Sequence, residues 1–325
     1  MSILASWPRE HLCLTHQQRQ EASARVEAEF SSTLKSLKVD IGLVEMLEAV
    51  YVPLGAWIYE KKRQRSGPLI VGINGAQGAG KSTLFTLLEV TLAEGFGQRV
   101  VGFSLDDIYK TRADRLKMAE DVHPLFATRG VPGTHDVDLG LNLLHQLRLA
   151  GGDKITKIPV FDKSIDDRCP ESVWQEWIGA TDIVILDGWC LGAQPQSEEA
   201  LQQPINTLEQ QEDPDGIWRR FVNEQLKGNY SRLFNMVDVL LMLKVPSMES
   251  VFEWRTLQEK KLAERVDQSE KSNREPLRIM GETEIRHFIM HYERLTREML
   301  VQMPERAAAT LHLNENHKID QIQIN

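Results

Sequence analysis

The residues with the most pointed chemistry are Gly75-Ala76-Gln77-Gly78-Ala79-Gly80-Lys81-Ser82, followed by Thr83. Their spacing, GxxxxGK[ST], is that of a phosphate cradle. The glycines permit backbone conformations closed to other residues and let main-chain N–H groups converge on phosphate oxygens, while the helix expected from Lys81 turns its positive end to the same anion. Lys81 brings a point charge to the β- and γ-phosphates of a nucleoside triphosphate, and the Ser82 hydroxyl is a ligand for Mg²⁺. The bare pattern arises by chance in about one chain in a hundred. Here an apolar run at 69–74 precedes it and an amphipathic stretch follows it, the strand and helix context that the cradle requires.

Phosphate binding alone does not name a reaction. Guanine-specific hydrolases carry an [NT]KxD segment and transport ATPases an LSGGQ signature, and neither occurs in the chain. A nucleic-acid motor is expected to present a basic track, whereas the formal net charge is −9. Phosphoryl transfer to a small acceptor remains, and a second set of residues fits it. Asp106 and Asp107 follow a short apolar run ending at Ser104, which puts two carboxylates on the edge where open α/β sheets bind ligands. An ionised carboxylate there orients an acceptor hydroxyl and takes its proton, although both residues could equally cap a helical turn. The run 183–186 ends in Asp187, which is expected to share a Mg²⁺ ion with Ser82, through water. Arg129 and His135, in the segment 129–136, and Lys163 and Arg168, in 159–168, offer four cations expected to converge near Asp106. Such a pocket suits an anionic acceptor such as a carboxylate. Asp136 is expected to cap the following helix at least as readily as to touch substrate.

From Ser104 to Tyr109 the chain resembles the group of pantothenate kinase, uridine kinase and phosphoribulokinase, in which the phosphate loop is followed by a strand ending in S-x-D-[DSG]-[FI]-[YLH]. Within that group it is similar to the D-glycerate 3-kinases, through residues 106–109, 129–136, 159–164 with 167–168, 186–189 and 254–262. The similarity covers roughly residues 67–317, and RGxPGTHD and FDKS are its specific elements. It implies ATP and Mg²⁺ as cofactors, Asp106 as the base with Asp107 and Tyr109 beside it, and D-glycerate as the acceptor, held by Arg129, His135, Lys163 and Arg168. It also implies a basic lid carrying Arg255, Gln258, Lys260 and Lys261, in which Arg255 stabilises the transferring group, and an approach of His317 to adenine. A solvated surface helix would carry the same charges.

These residues need a frame. Apolar runs at 69–74, 99–104, 155–161, 183–187, 237–244 and 310–313, separated by helical patterning, predict the P-loop NTPase fold, a doubly wound and mostly parallel α/β sheet. Residues 1–66 are expected to be a helical N-terminal extension to a kinase domain of residues 67–325, the polar stretch 194–215 an inserted surface segment, and 282–302 a helix. At 325 residues, 42% hydrophobic and 26% charged, the chain can bury a sizeable core. Cys13, Cys169 and Cys190 are widely spaced, as in a protein of a reducing compartment. The first residues lack the pattern of a secretory signal, and no apolar run nears the ~20 residues of a membrane helix. A soluble cytoplasmic protein with neither nucleic-acid nor membrane partner is expected. The expected activity is Mg²⁺-dependent transfer of the ATP γ-phosphoryl group to a hydroxyl of D-glycerate. A kinase of the same group acting on a nucleoside or pantothenate is the nearest alternative. A regulator that uses the loop as a nucleotide switch is the alternative of another class, and it would need no acceptor site.

Overall fold

A computed structural model of the chain describes residues 7–268 and 280–325, with side chains described as far as residue 260 and again from 280. The described strands are β1 (Leu69–Gly75), β2 (Val100–Ser104), β3 (Ile155–Ile158), β4 (Phe161–Asp162), β5 (Asp167–Arg168), β6 (Gln175–Ile178), β7 (Ile183–Gly188), β8 (Val239–Lys244), β9 (Ala309–Leu313) and β10 (Ile319–Ile324). Six of them form one sheet in the order β10-β9-β8-β1-β7-β2. Every neighbouring pair is parallel except the edge pair of β9 and β10. The neighbouring interior strands β1 and β7 are buried along their whole length, as parallel strands covered on both faces must be.

Strand residues alternate between the two faces, and the core divides accordingly. Leu69, Val71 and Ile73 face a core that also takes Leu84, Leu87 and Leu88 of α3 (Lys81–Val90), whereas Ile70 faces one built with Leu144 and Leu147 of α5 (Val137–Arg148). The first of these cores continues into the N-terminal helices α1 (His16–Leu37) and α2 (Val52–Arg63). Thr15 starts α1 with a capping box to Gln18, and Ala22, Val26, Phe30 and Leu34, four residues apart, make the buried stripe. Residues 7–66 therefore share their apolar core with β1 and α3.

Three expectations are amended. The run 155–161 is not a strand of the main sheet: β3 pairs with β6, and β4 with β5, in two separate antiparallel ribbons. Its alternation gives the reason, since Ile155 and Lys157 are exposed while Thr156 and Ile158 are buried, the pattern of a strand with one wet face. The polar stretch 194–215 lies at the surface over most of its length, as expected, but it is also anchored in the interior. It folds into α6 (Glu198–Gln202) and α7 (Thr207–Glu212), buries Leu201 and Leu208, and turns two acidic residues inward. Glu209 pairs with Arg294 at 2.6 Å and Asp213 with Arg219 at 3.0 Å, both buried. Arg219 belongs to α8 (Ile217–Gln225), which leads by way of α9 (Ser231–Phe234) to β8. The chain also has a last strand, β10, beyond those expected, with exposed Asp320 and Gln321 that hid it in an apolar scan. The 282–302 helix is present as α11 (Glu282–Gln302), and α10 (Met248–Gln268) precedes it. Among the described residues no helix is long and apolar enough to cross a membrane.

Candidate active site

The register of the sheet sets the site. Ser104 at the end of β2 pairs with Asp187 on β7, and Ile73 on β1 pairs with the same Asp187, so the phosphate loop and both acidic strand ends meet on one edge. The loop runs from Gly75 at the end of β1, through Ala76 and Gln77, to Lys81 at the start of α3. Gly78 and Gly80 have φ of 82° and 90°, in the left-handed region. At Gly78 a Cβ would also come within 2.9 Å of Trp254, so this position needs glycine for space as well as for conformation. Ser82 is exposed and Thr83 half-buried on the first turn of α3. Lys81 Nζ donates to the carbonyl of Ala76 at 3.1 Å. Burial pulls its ammonium below the ordinary lysine value, and the charges of Asp187 and then Asp106 work against that.

A cavity of about 410 Å³ adjoins the loop, floored by Gly78, Ala79, Gly80 and Thr83. Its volume lies in the range of small-molecule sites. Trp254 and Gln258 of α10 and His317 of the β9–β10 connection close one side; Lys38, Asp40 and Tyr51 of the N-terminal segment close another. His317 takes φ of 59° and its ring stacks on Trp254 with centroids 3.7 Å apart. The contribution of residues 38–51 was missed in the sequence, where nothing marks a helical extension as a cavity wall.

At the end of β2 the two carboxylates part company. Asp107 accepts the backbone N–H of Ser104 at 2.8 Å and closes a capping box, the structural role open to it from the start. Burial lifts its carboxyl to about 6. Asp106 instead accepts from Lys163 Nζ at 2.5 Å and from the Tyr109 hydroxyl at 3.0 Å. Burial works against its charge, but Lys163, Lys81 and the Tyr109 hydroxyl outweigh it and hold the carboxyl below its usual range. Asp106 is thus an ionised carboxylate beside the phosphate loop, as a proton acceptor must be.

The segments 129–136 and 159–168 do converge here, though their cations are already engaged. Arg129 pairs with Asp166, and Arg168 with Asp136 at 3.2 Å while donating to the Tyr109 carbonyl at 2.6 Å. Asp136 also caps α5 by accepting the N–H of Leu139. Gly130 is locked from both sides, since Trp189 Nε1 donates to its carbonyl at 2.7 Å and Tyr292 donates to the carbonyl of Arg129 at 3.0 Å. His135 is not one of the cations. It is only 2% exposed, its Nδ1 lies 2.6 Å from the Tyr230 hydroxyl, its ring stacks on Tyr109, and burial lowers its pKa to about 4. An imidazole so placed is neutral and supports Tyr109 from behind.

Asp187 is buried, and its carboxyl is raised to about 6 by burial, with Lys81 opposing and Asp106 adding to the rise. No group of three or more metal-ligating side chains exists among the described residues. A cation held here would take most of its shell from phosphates and water, which suits Mg²⁺, an ion that gives up its waters reluctantly. Ser82 and Asp187 fit that demand, and a divalent charge would relieve the crowding of Asp187 with Asp106. On α10, Arg255 turns toward α11: it pairs with Glu259 one turn on and lies 5.5 Å over the Phe288 ring. Lys260 lies on the same helix, and the side chain of Lys261 falls outside the described residues.

The sequence is 32% identical over 254 residues to the uncharacterized kinase mug58 of Schizosaccharomyces pombe, covering 76% of this chain and 86% of that protein. The chain belongs to the P-loop kinases. It is also 26% identical over 238 residues to the chloroplastic D-glycerate 3-kinase of Arabidopsis thaliana, a match that takes in 68% of this chain and only 50% of the relative. Among solved structures, D-glycerate 3-kinase from Cryptococcus neoformans var. grubii superposes with a TM-score of 0.67 at 25% identity, over 85% of this chain and 97% of that one. No family model matches the sequence.

Proposed function

We propose that this kinase transfers the γ-phosphoryl group of ATP to a hydroxyl of D-glycerate, with Mg²⁺ as cofactor. The observation that carries the reading is Asp106, held ionised by Lys163 and Lys81 between the phosphate loop and the two cationic segments. The likeness to D-glycerate 3-kinases in sequence and structure supports the choice of acceptor. ATP lies with its base in the cavity between Trp254, His317 and the N-terminal wall, and with its phosphates on the amides of 78–83. Lys81 neutralises the β- and γ-oxygens, Asp106 orients the acceptor hydroxyl and takes its proton, and Arg129, Lys163 and Arg168 receive the acceptor carboxylate. Arg255 exchanges Glu259 for the transferring phosphoryl group. Screening ADP release with D-glycerate, L-glycerate, uridine, pantothenate and ribulose 5-phosphate in turn tests the assignment; a preference for any acceptor but D-glycerate would sink it.

Two further expectations follow from the charges. Asp187→Asn should raise the Mg²⁺ concentration for half-maximal rate, and in the unmutated protein that concentration should climb as pH falls through about 6, because the protonated carboxyl no longer attracts the ion. A Mg²⁺ titration that is the same in both proteins removes Asp187 from the metal shell. Lys163→Met takes away the foremost charge that keeps Asp106 ionised, leaving burial to push its pKa up. The acid limb of the pH profile of kcat/KM should then move to higher pH; a limb that stays in place would mean that Asp106 does not titrate in the reaction.

A further inference from the structure

Arg115, on α4 (Arg112–Asp121), is fully buried, a place where a guanidinium persists only with its donors satisfied. Those donors go to three separate segments. Nε reaches the carbonyl of Lys110 at 3.4 Å, Nη1 donates to the carbonyl of Ala127 at 2.8 Å, and Nη2 donates to the carbonyl of Asp166 at 2.7 Å. The same Nη2 lies 2.9 Å from Asp166 Oδ2. Asp166 extends the connection, because its other carboxylate oxygen takes the guanidinium of Arg129. Its backbone has φ of 55°, in the left-handed region that Asp adopts more readily than most residues with a side chain. Next to it, Asp167 accepts the N–H of Arg112 at 3.0 Å, which fastens the start of α4 to the same loop.

We propose that Arg115 is the positioning residue of the acceptor site: through Asp166 it aims the guanidinium of Arg129, and it holds the loop between Lys163 and Arg168 against the segments that follow Asp106 and precede Arg129. The inference rests on reading this site as an acceptor pocket. Arg129 is part exposed and Lys163 exposed, and such long side chains, if free, would lose rotamer freedom each time a small anion bound. A buried guanidinium that fixes their loop beforehand removes that loss and places the charges before the acceptor arrives. The planar fan of donors is what the job needs, because the acceptors come from three directions, whereas a lysine ammonium presents its donors from a single point.

The test compares the full chain with its Asp166→Asn and Arg115→Lys variants, varying ATP and D-glycerate in turn. Asp166→Asn keeps all the carbonyl bonds of Arg115 and removes the carboxylate charge through which Arg115 Nη2 is joined to Arg129, so it stays informative even if Arg115→Lys does not fold. Misplacement of about 1 Å costs roughly 10²-fold, so kcat/KM for glycerate should fall by about that factor, mainly through KM, with KM for ATP unchanged. An unchanged glycerate KM in Asp166→Asn overturns the proposal. So does a parallel rise of both KM values, which is what general loosening of the fold gives. If the wild-type protein shows no glycerate-dependent turnover, the acceptor reading fails instead, and amide hydrogen exchange decides the positioning alone. Asp166→Asn should then lose protection in residues 163–168 but not in 69–75, and equal protection in the two proteins overturns it.

Discussion

Lys81→Ala should lose phosphoryl transfer by roughly 10³-fold or more, because it removes the one cation of the loop at the place where charge shifts between the β- and γ-phosphates. The fold should survive. Among the described residues the ammonium makes a single hydrogen bond, to the Ala76 carbonyl within its own loop, and burial already disfavours its charge. The thermal midpoint should therefore stay close to that of the wild-type protein. Loss of the ammonium also takes from Asp187 the charge that opposes its burial, so residual activity should need a higher pH than in the wild type. Coupled measurement of ADP release, beside a thermal melt, checks both parts. Activity within a few-fold of wild type would remove the phosphate loop from the chemistry.

Asp106→Asn should lower transfer to glycerate by about 10²–10⁴-fold, the usual contribution of a general base. The amide keeps one oxygen to accept from Tyr109 or Lys163, so the surroundings change little, while the negative charge that takes the hydroxyl proton is gone. Nucleotide affinity should be preserved, since the loop amides, Lys81 and Ser82 are untouched. If the chain were a nucleotide switch, the same substitution would alter nucleotide affinity or a conformational response, and glycerate would not change turnover in either protein. A nucleotide titration beside glycerate-dependent turnover separates the two. Equal turnover in the variant would mean that the proton acceptor lies elsewhere.

What could be read in the sequence is what lies close together along it. The phosphate loop occupies consecutive residues, and the runs ending at Ser104 and Asp187 carry their carboxylates at the strand tips, so the edge on which they meet follows from the order of elements. Pairing across the fold left no such trace. Residue types alone made His135 a cation, whereas burial against Tyr109 and Tyr230 keeps it neutral. Asp106 and Asp107 are neighbours of the same type, and only the turn geometry makes Asp107 a cap and turns the carboxylate of Asp106 to Lys163 and Tyr109. Arg115 stands in RADRLKMAED, which reads as any solvated helix, and its partners lie 5, 12 and 51 residues away. The polar stretch 194–215 reads as surface and is mostly exposed, but nothing in it marks Glu209 and Asp213 as the two that face buried arginines supplied by later helices.

The central claim is that the γ-phosphoryl group of ATP ends on glycerate, and proton-coupled ³¹P NMR of the wild-type protein turning over with ATP, Mg²⁺ and D-glycerate tests it most directly. One new phosphomonoester signal should grow in step with ADP, split as a triplet if the primary hydroxyl carries the phosphate and as a doublet if the secondary one does. ADP accompanied only by inorganic phosphate, or an ATP spectrum that glycerate leaves unchanged, would contradict the account.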